Sequence, residues 1–538
     1  MTPARTPLWR RLLAATLALL MSLAGWPLAA HAQVRLPSLG ETASQDLSVG
    51  AERKIGDSIM REARRDPEFL DDPVLQEYLL SIFNPLVAAA RQLGNIEPEI
   101  DHAFAWEPFL VLDRSVNAFA LPGGFIGVHL GMIAITTTPD QLASVLAHEL
   151  SHVTQRHIAR SIAPQQRASV VAIAAMLLGI IAASRANNVD VANAAIMGGQ
   201  GAAIQTQLNF SRDVEREADR VGFGVLTQAG YAPGSMASMF EKLDVATRIN
   251  DSGGFPYLRT HPLTGERISE ARNRTLLGGG VVEQPTLLHG LMKVRARVLM
   301  AEGNLALQRL AGAATSPLRA ERIVTLYGSA MAKSRLNDHA GAEADVEQAL
   351  ALAPEAQPRE PRAERALRLL QAEVRLARAD PAGAMQALDA IPAPEHAERP
   401  PLLLRAQAQL DLRRRQPAAG DAALRESTEA LQTWLVDHPR DGAAWELAAA
   451  SSEALGLKLR AMRAGAEARA VVGDFTGAID RLRAAQAASR SAGAQDFIEA
   501  SVIDTRLRQL SAQRRQLQLE ARGDSRAPGR PDEELPPQ

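Results

Sequence analysis

Hydrophobic residues fall into distinct patterns along the chain. Near the start, an apolar run from Leu12 to Leu23 follows the basic residues Arg5, Arg10 and Arg11, and small residues stand at Ala30 and Ala32. A basic head, a short apolar run and a small-residue site make a secretory signal, with Gln33 as the first mature residue. The run is shorter than the roughly 20 residues of a membrane span. Residues 1–32 are therefore expected to be a cleaved signal peptide, followed by a polar, turn-rich lead-in over 33–50.

Short apolar runs and amphipathic stretches then alternate over residues 51–280. Phe109–Leu112 is expected to be a strand. Asn117 to Leu121 is expected to be extended, ending in the turn Pro122-Gly123-Gly124. Phe125 to Ile133 continues as strand or early helix. Thr138 and Gln141 have capping-box spacing, and Pro139 suits the first helical position. A helix is expected from Pro139 to just before Pro164, with Leu142, Leu146, Leu150 and Val153 as its apolar stripe. A second, polar helix is expected after Ser211, a good N-cap, with Asp213 in its first turn. Between these two helices lies the apolar run Ala168 to Ala183. It is short for a span and is expected to be a buried helix or a lid, with peripheral membrane contact as the alternative.

From 285 to 520 the pattern is amphipathic helix throughout, rich in alanine and leucine. A signature recurs: Asp338-x-x-Gly341-Ala342, Asp380-x-x-Gly383-Ala384 and Asp474-x-x-Gly477-Ala478. A turn with Asp and Gly, then a small residue where helices pack closely, fits a helix-turn-helix repeat. These units resemble tetratricopeptide repeats. The first two turns lie 42 residues apart, which is long for a 34-residue period, so insertions such as Glu355 to Arg362 are expected. A degenerate unit is expected around 400–440. Residues 521–538 carry Pro, Gly and charge with few apolar side chains, and disorder is expected there.

Composition narrows the class. At 538 residues two or three domains are expected. Hydrophobic residues make up 46% and charged ones 22%, as in a folded globular protein. Aromatics are scarce while alanine and leucine dominate, so the fold class is α+β and mostly helical, with a small sheet in the first domain and an all-α repeat domain after it. The net charge of −2 offers no electrostatic attraction for nucleic acid. The chain has no cysteine, which excludes disulfides, thiol catalysis and lipid attachment at a cysteine, and which suits an exported protein of a bacterial periplasm.

The candidate chemistry lies on the helix begun by Pro139, in His148-Glu149-Leu150-Ser151-His152. His148 and His152 are four apart and so share a helix face, where they can hold one zinc ion. Glu149 beside them can take a proton from a metal-activated water. A catalytic zinc needs a third protein ligand and an open position. Gln155 and Ile158 stand where a metzincin needs Gly and His, and no Asp or Glu occurs between Leu150 and Val189. The third ligand is expected from farther on, in Glu215-Arg216-Glu217-Ala218-Asp219. Glu215 can bind zinc while Asp219, four residues on, accepts a hydrogen bond from a ligand histidine. Glu217 is expected in solvent, and His157 is expected to face away from the histidine pair as a structural or solvated residue. His261, before Pro262, has three open roles: oxyanion stabiliser, fourth zinc donor in a resting state, or a histidine ordering a turn. Arg267 either meets the oxyanion or pairs with an acid.

His148-Glu149-x-x-His152 with Glu215-x-x-Ala218-Asp219 resembles the gluzincin metallopeptidases related to HtpX and the CAAX prenyl protease. Asn117-Ala118-Phe119-Ala120-x-Pro122-Gly123-Gly124 is similar to the substrate-side edge segment of that family. The resemblance implies a gluzincin-type protease fold with one zinc per chain on His148, His152 and Glu215. It implies Glu149 as general base and substrate aligned along Asn117, Ala118, Phe119 and Ala120. A signal, this domain and C-terminal repeats together resemble the periplasmic members that assist outer-membrane protein assembly. That implies unfolded or misassembled protein substrates, and a barrel-assembly machine as partner of the repeats. The competing expectation is a non-enzymatic chaperone or adaptor acting through the repeats alone.

Overall fold

Four short strands form one sheet in the computed structural model, which describes residues 47–161, 212–249, 256–277, 281–313, 316–416, 421–490 and 496–521. The signal, most of the lead-in, the run Ala168 to Ala183, the Ser211 cap and the tail beyond 521 lie outside the described residues. Those described belong to one compact unit, Ala43–Gln538.

The strands are β1 (Phe69–Leu70), β2 (Glu107–Val111), β3 (Ala118–Leu121) and β4 (Phe125–His129), in the order β1-β2-β4-β3. β2 and β4 run parallel, with Glu107 opposite Phe125, and β3 returns antiparallel, with Ala118 opposite Val128. The turn between β3 and β4 needs its two glycines. Gly123 and Gly124 have φ of 78° and 89°, values a side chain resists. β3 is thereby left at the edge of the sheet. The stretch expected as strand or early helix is both, since β4 passes at once into the helix Leu130–Ile135.

The helix Pro139–Thr154 begins as expected. Thr138 Oγ1 accepts from the Gln141 N–H at 3.2 Å, and Pro139 occupies the first turn. Its apolar stripe is not its only buried side, because every residue from Gln141 to Thr154 is buried. Helices Pro73–Gln92, Arg212–Gln228 and Ser235–Ile249 and strand β3 enclose it. The expected continuation to Pro164 fails at Arg156, whose φ is 52°. The Arg156 guanidinium is held by Glu52 Oε2 at 2.8 Å and by the Leu47 carbonyl at 2.6 Å. The chain turns there into a separate short helix, His157–Ser161.

Beyond residue 285 the described residues are helical, and successive helices pack as neighbours: Arg319–Arg335 on His339–Leu352, Pro361–Ala377 on Pro381–Asp389, Gly442–Ala454 on Lys458–Val471. The recurring Asp is an N-cap. Asp338, Asp380 and Asp474 accept from the N–H groups of Gly341, Gly383 and Gly477 at 3.0, 2.8 and 2.9 Å. Glycine leaves room for the cap as it stands, since a Cβ at each would lie 2.3 Å from the capping carboxylate, which would have to shift. The alanine that follows is fully buried in all three, at Ala342, Ala384 and Ala478. Asp441 caps Gly442–Ala454 through the Ala444 N–H, the same device with alanine in place of glycine.

The helix Leu287–Leu299 joins the two regions. His289 Nδ1 meets Tyr78 Oη at 2.6 Å, and its Nε2 lies 3.2 Å from Thr136 Oγ1. Arg295 is buried between Asp72, Glu373 and Tyr327. One hydrophobic core runs through this junction, from Val49 to Ala408.

Candidate metal centre

Two crossing helices build the centre. Pro139–Thr154 presents His148 and His152 one turn apart, and Arg212–Gln228 presents Glu215 and Asp219 one turn apart. They approach closely because Gly222 lies on the crossing. A Cβ there would stand 3.1 Å from the Ala147 carbonyl oxygen and 3.2 Å from the His148 nitrogen. The residues following the short helix Tyr257–Thr260 bring His261 to the same point, and Arg267 comes from Gly265–Leu277.

His148, His152, Glu215 and His261 are buried and offer one donor atom each, all within 4.8 Å of one another. His148 Nε2 is 3.0 Å from His152 Nε2 and 3.3 Å from His261 Nδ1. Glu215 Oε1 is 3.0 Å from His261 Nδ1 and 3.5 Å from His152 Nε2. A tetrahedral zinc with nitrogen donors at about 2.0–2.1 Å holds them about 3.3 Å apart. The spacing and the imidazole–carboxylate chemistry therefore fit zinc.

The charges also call for a cation. Burial works against a charged His148, but Asp219 and Glu215 outweigh it and push the ring up to about 10. Burial and the charge on His148 hold His152 well below its ordinary value. Burial opposes the Glu215 carboxylate too, and His261 and His148 overcome it, so Glu215 stays ionised far below the usual range. Buried carboxylates are stable only beside positive charge. A bound metal would supply that charge with the imidazoles neutral.

Glu149 lies beside the cluster. Its Oε2 accepts from the Ala120 N–H at 3.0 Å, while Oε1 has no hydrogen-bond partner among the described residues and lies 3.5 Å from His261 Nε2. Burial raises the Glu149 pKa. Asp219 Oδ1 is 3.0 Å from His148 Nδ1. Arg267 grips both Asp219 oxygens at 2.7 and 2.8 Å and lies 2.9 Å from Glu215 Oε2. Of its two expected roles, Arg267 thus has the pairing with acids in this structure, and His261 stands among the donors.

The edge segment reaches the centre through its backbone. Ala120 N–H touches Glu149, and Ala118 is buried. Asn117 is buried, and its carbonyl accepts from the His129 N–H. The Phe119 ring packs over Gly127, edge-on to Phe109 and His129. It therefore belongs to the sheet and not to the donor cluster.

Two expectations are corrected. His157 does not face away and Glu217 is not left in solvent. His157 is buried with Nδ1 2.9 Å from His152 Nδ1, and its Nε2 lies 3.2 Å from Glu217 Oε2, which Arg160 also reaches at 2.9 Å. The break at Arg156 turns His157 back, and no local sequence signal marks that break. Tyr257 also escaped the sequence reading. Its buried ring lies 4.7 Å from that of His261 and 6.5 Å from that of His148.

Comparison with known proteins finds a family that these residues match. Residues 82–275 match Peptidase family M48, a span holding every residue of the cluster. The chain is similar to a putative beta-barrel assembly-enhancing protease of Vibrio cholerae, 36% identical over 45% of this chain and 47% of the relative. It is 32% identical to the beta-barrel assembly-enhancing protease of Escherichia coli over 59% of this chain and 63% of the relative. The protein of that name in Yersinia pestis is 29% identical over 85% of this chain and 88% of the relative. The matches thus span about half the Vibrio relative and under two thirds of the Escherichia one. The zinc-compatible cluster falls within residues 82–275, the span that matches the model of Peptidase family M48.

Proposed function

We propose that this chain is a periplasmic zinc endopeptidase that cleaves misfolded or stalled outer-membrane proteins. The observation that carries the reading is the close grouping of His148, His152, Glu215 and His261, one donor atom each within 4.8 Å of one another, with Glu149 alongside. His148, His152 and Glu215 are the ligands, and His261 takes the fourth position in a resting state. When bound, zinc polarises the scissile carbonyl and lowers the pKa of the attacking water. Glu149 takes the proton from that water at Oε1 and delivers it to the leaving amine. Burial raises its pKa, which makes the carboxylate a better proton acceptor than an exposed one. The Ala120 N–H holds the other oxygen and so aims Oε1. Asp219 orients His148 through Nδ1, and Arg267 keeps Asp219 ionised.

Substrate backbone adds as a strand to the edge at Asn117–Ala120, which suits extended, unfolded chains. The capped helix pairs beyond residue 285, read as tetratricopeptide-like repeats, dock the partner, a barrel-assembly machine. The names of the relatives, which describe enhancement of β-barrel assembly, support that setting. The signal expected over 1–32 supplies export. The deciding comparison is Glu149→Gln against the wild type. The variant should bind one zinc per chain and lose cleavage of an unfolded protein such as casein. Retained cleavage would sink the mechanism. Rescue of outer-membrane assembly by the inactive variant would favour the chaperone or adaptor role carried by the helical array.

A further inference from the structure

The two histidines on the metal helix are backed in different ways. His148 Nδ1 meets the carboxylate of Asp219 directly, at 3.0 Å. His152 Nδ1 meets another imidazole, His157 Nδ1, at 2.9 Å. Two ring nitrogens at that distance share one proton, so one donates and the other accepts. His152 Nε2 faces the donor cluster, 3.0 Å from His148 Nε2. As a metal ligand that nitrogen carries no proton, so the neutral ring keeps its proton on Nδ1. His157 Nδ1 must then be the acceptor. The proton of a neutral His157 sits on Nε2, where Glu217 Oε2 accepts it at 3.2 Å. Arg160 lies 2.9 Å from the same oxygen and keeps Glu217 an acceptor.

We infer that His157, held as its Nε2–H tautomer by Glu217 and Arg160, is the positioning residue that fixes the ring of His152. The inference rests on the zinc reading above and extends it to residues outside the ligand set. A partner on the far nitrogen fixes the tautomer and orientation of a ligand histidine and raises its basicity. The polar set Glu217, Arg160 and His157 therefore does more than fill space behind the helix. The bend at Arg156, pinned by Glu52, is what allows it. A helix continuing straight through residue 157 would carry that side chain away from the i, i+4 face of the ligands.

The test is zinc affinity of the full-length protein by chelator competition, with casein cleavage alongside. In His157→Asn, the amide oxygen stands close to the place of Nδ1 and still accepts. In His157→Leu, a side chain of similar size offers no acceptor. The leucine variant should bind zinc about 10- to 100-fold more weakly and the asparagine variant within about threefold of wild type, in line with the cost of losing such a partner. Glu217→Leu should weaken zinc, and Glu217→Gln, which still accepts, should not. This second pair decides the matter if His157→Leu does not fold. Wild-type affinity in both leucine variants, or equal losses in asparagine and leucine, would overturn the inference and leave the metal reading intact. A wild-type protein without zinc affinity would overturn the metal reading instead, and this inference with it.

Discussion

His261 Nδ1 sits 3.3 Å from His148 Nε2 and 3.0 Å from Glu215 Oε1, the place of a fourth donor. A structural zinc is closed by four protein ligands, whereas a catalytic one keeps a position for water and substrate. With His261 in place the set is closed, and the ring stands between Glu149 Oε1 and the other donors. His261→Ala should therefore keep one zinc, since three ligands remain, and should cleave casein faster than the wild type. Zinc analysis and a cleavage assay check this. Loss of the metal would instead make His261 an indispensable ligand. Sequence left three roles open for His261, because a lone histidine before Pro262 has no spacing relation to the zinc helix. His148, His152, Glu215 and Asp219 were legible because each pair is four apart on its own helix.

The centre at the scale of elements is a helix crossing. The separation of Pro139–Thr154 and Arg212–Gln228 is set by Gly222 against the backbone of Ala147 and His148. Gly222→Val adds three carbons where one already makes close contact. The helices must part, at a cost of about 1–3 kcal/mol, and Glu215 is drawn from the histidines. Urea denaturation should show the loss of stability and chelator competition a weaker zinc site. Unchanged zinc affinity would mean that the crossing tolerates the shift. The Asp-Gly turns of the helical region were readable in advance, since Asp and Gly stand three positions apart; that each Asp caps its helix is a finding of the structure. The end of the metal helix at Thr154 was not. It depends on Glu52, 104 residues from Arg156.

Leu287–Leu299 binds the peptidase region to the helical array in the whole molecule. His289 is buried against Tyr78 and Thr136, and burial lowers its pKa from 6.5 to about 4. A base with a depressed folded pKa favours the folded state while both states are neutral. As pH falls below 6.5 the unfolded chain takes up the proton first. Stability should thus fall between pH 6.5 and about 4, by up to about 3 kcal/mol from this residue. Denaturation of wild type and His289→Phe across that range checks it, and the variant should show the shallower pH dependence. Arg295, between Asp72 and Glu373, is the second tie. Arg295→Leu leaves Asp72 buried without its cation and should cost about 3–5 kcal/mol, read by calorimetry or urea. A loss below about 1 kcal/mol would place the strength of the junction in apolar packing alone.

What the sequence determined by itself is what short-range periodicity controls. It placed both histidines on one face, both acids on another, a turn at Gly123-Gly124 and an Asp-Gly turn before each of three helices. Each of these needs only residues within four positions. Tertiary structure decided the rest. It brought His261 to within 3.3 Å of His148 across 113 positions, and it aimed Ala120 N–H at Glu149 across 29. It turned His157 back onto His152 and buried Arg295 beside Asp72, 223 positions away. Contacts of that range follow from which helices cross and how closely, and packing of the whole core settles that. Spacing along the chain carries no record of it.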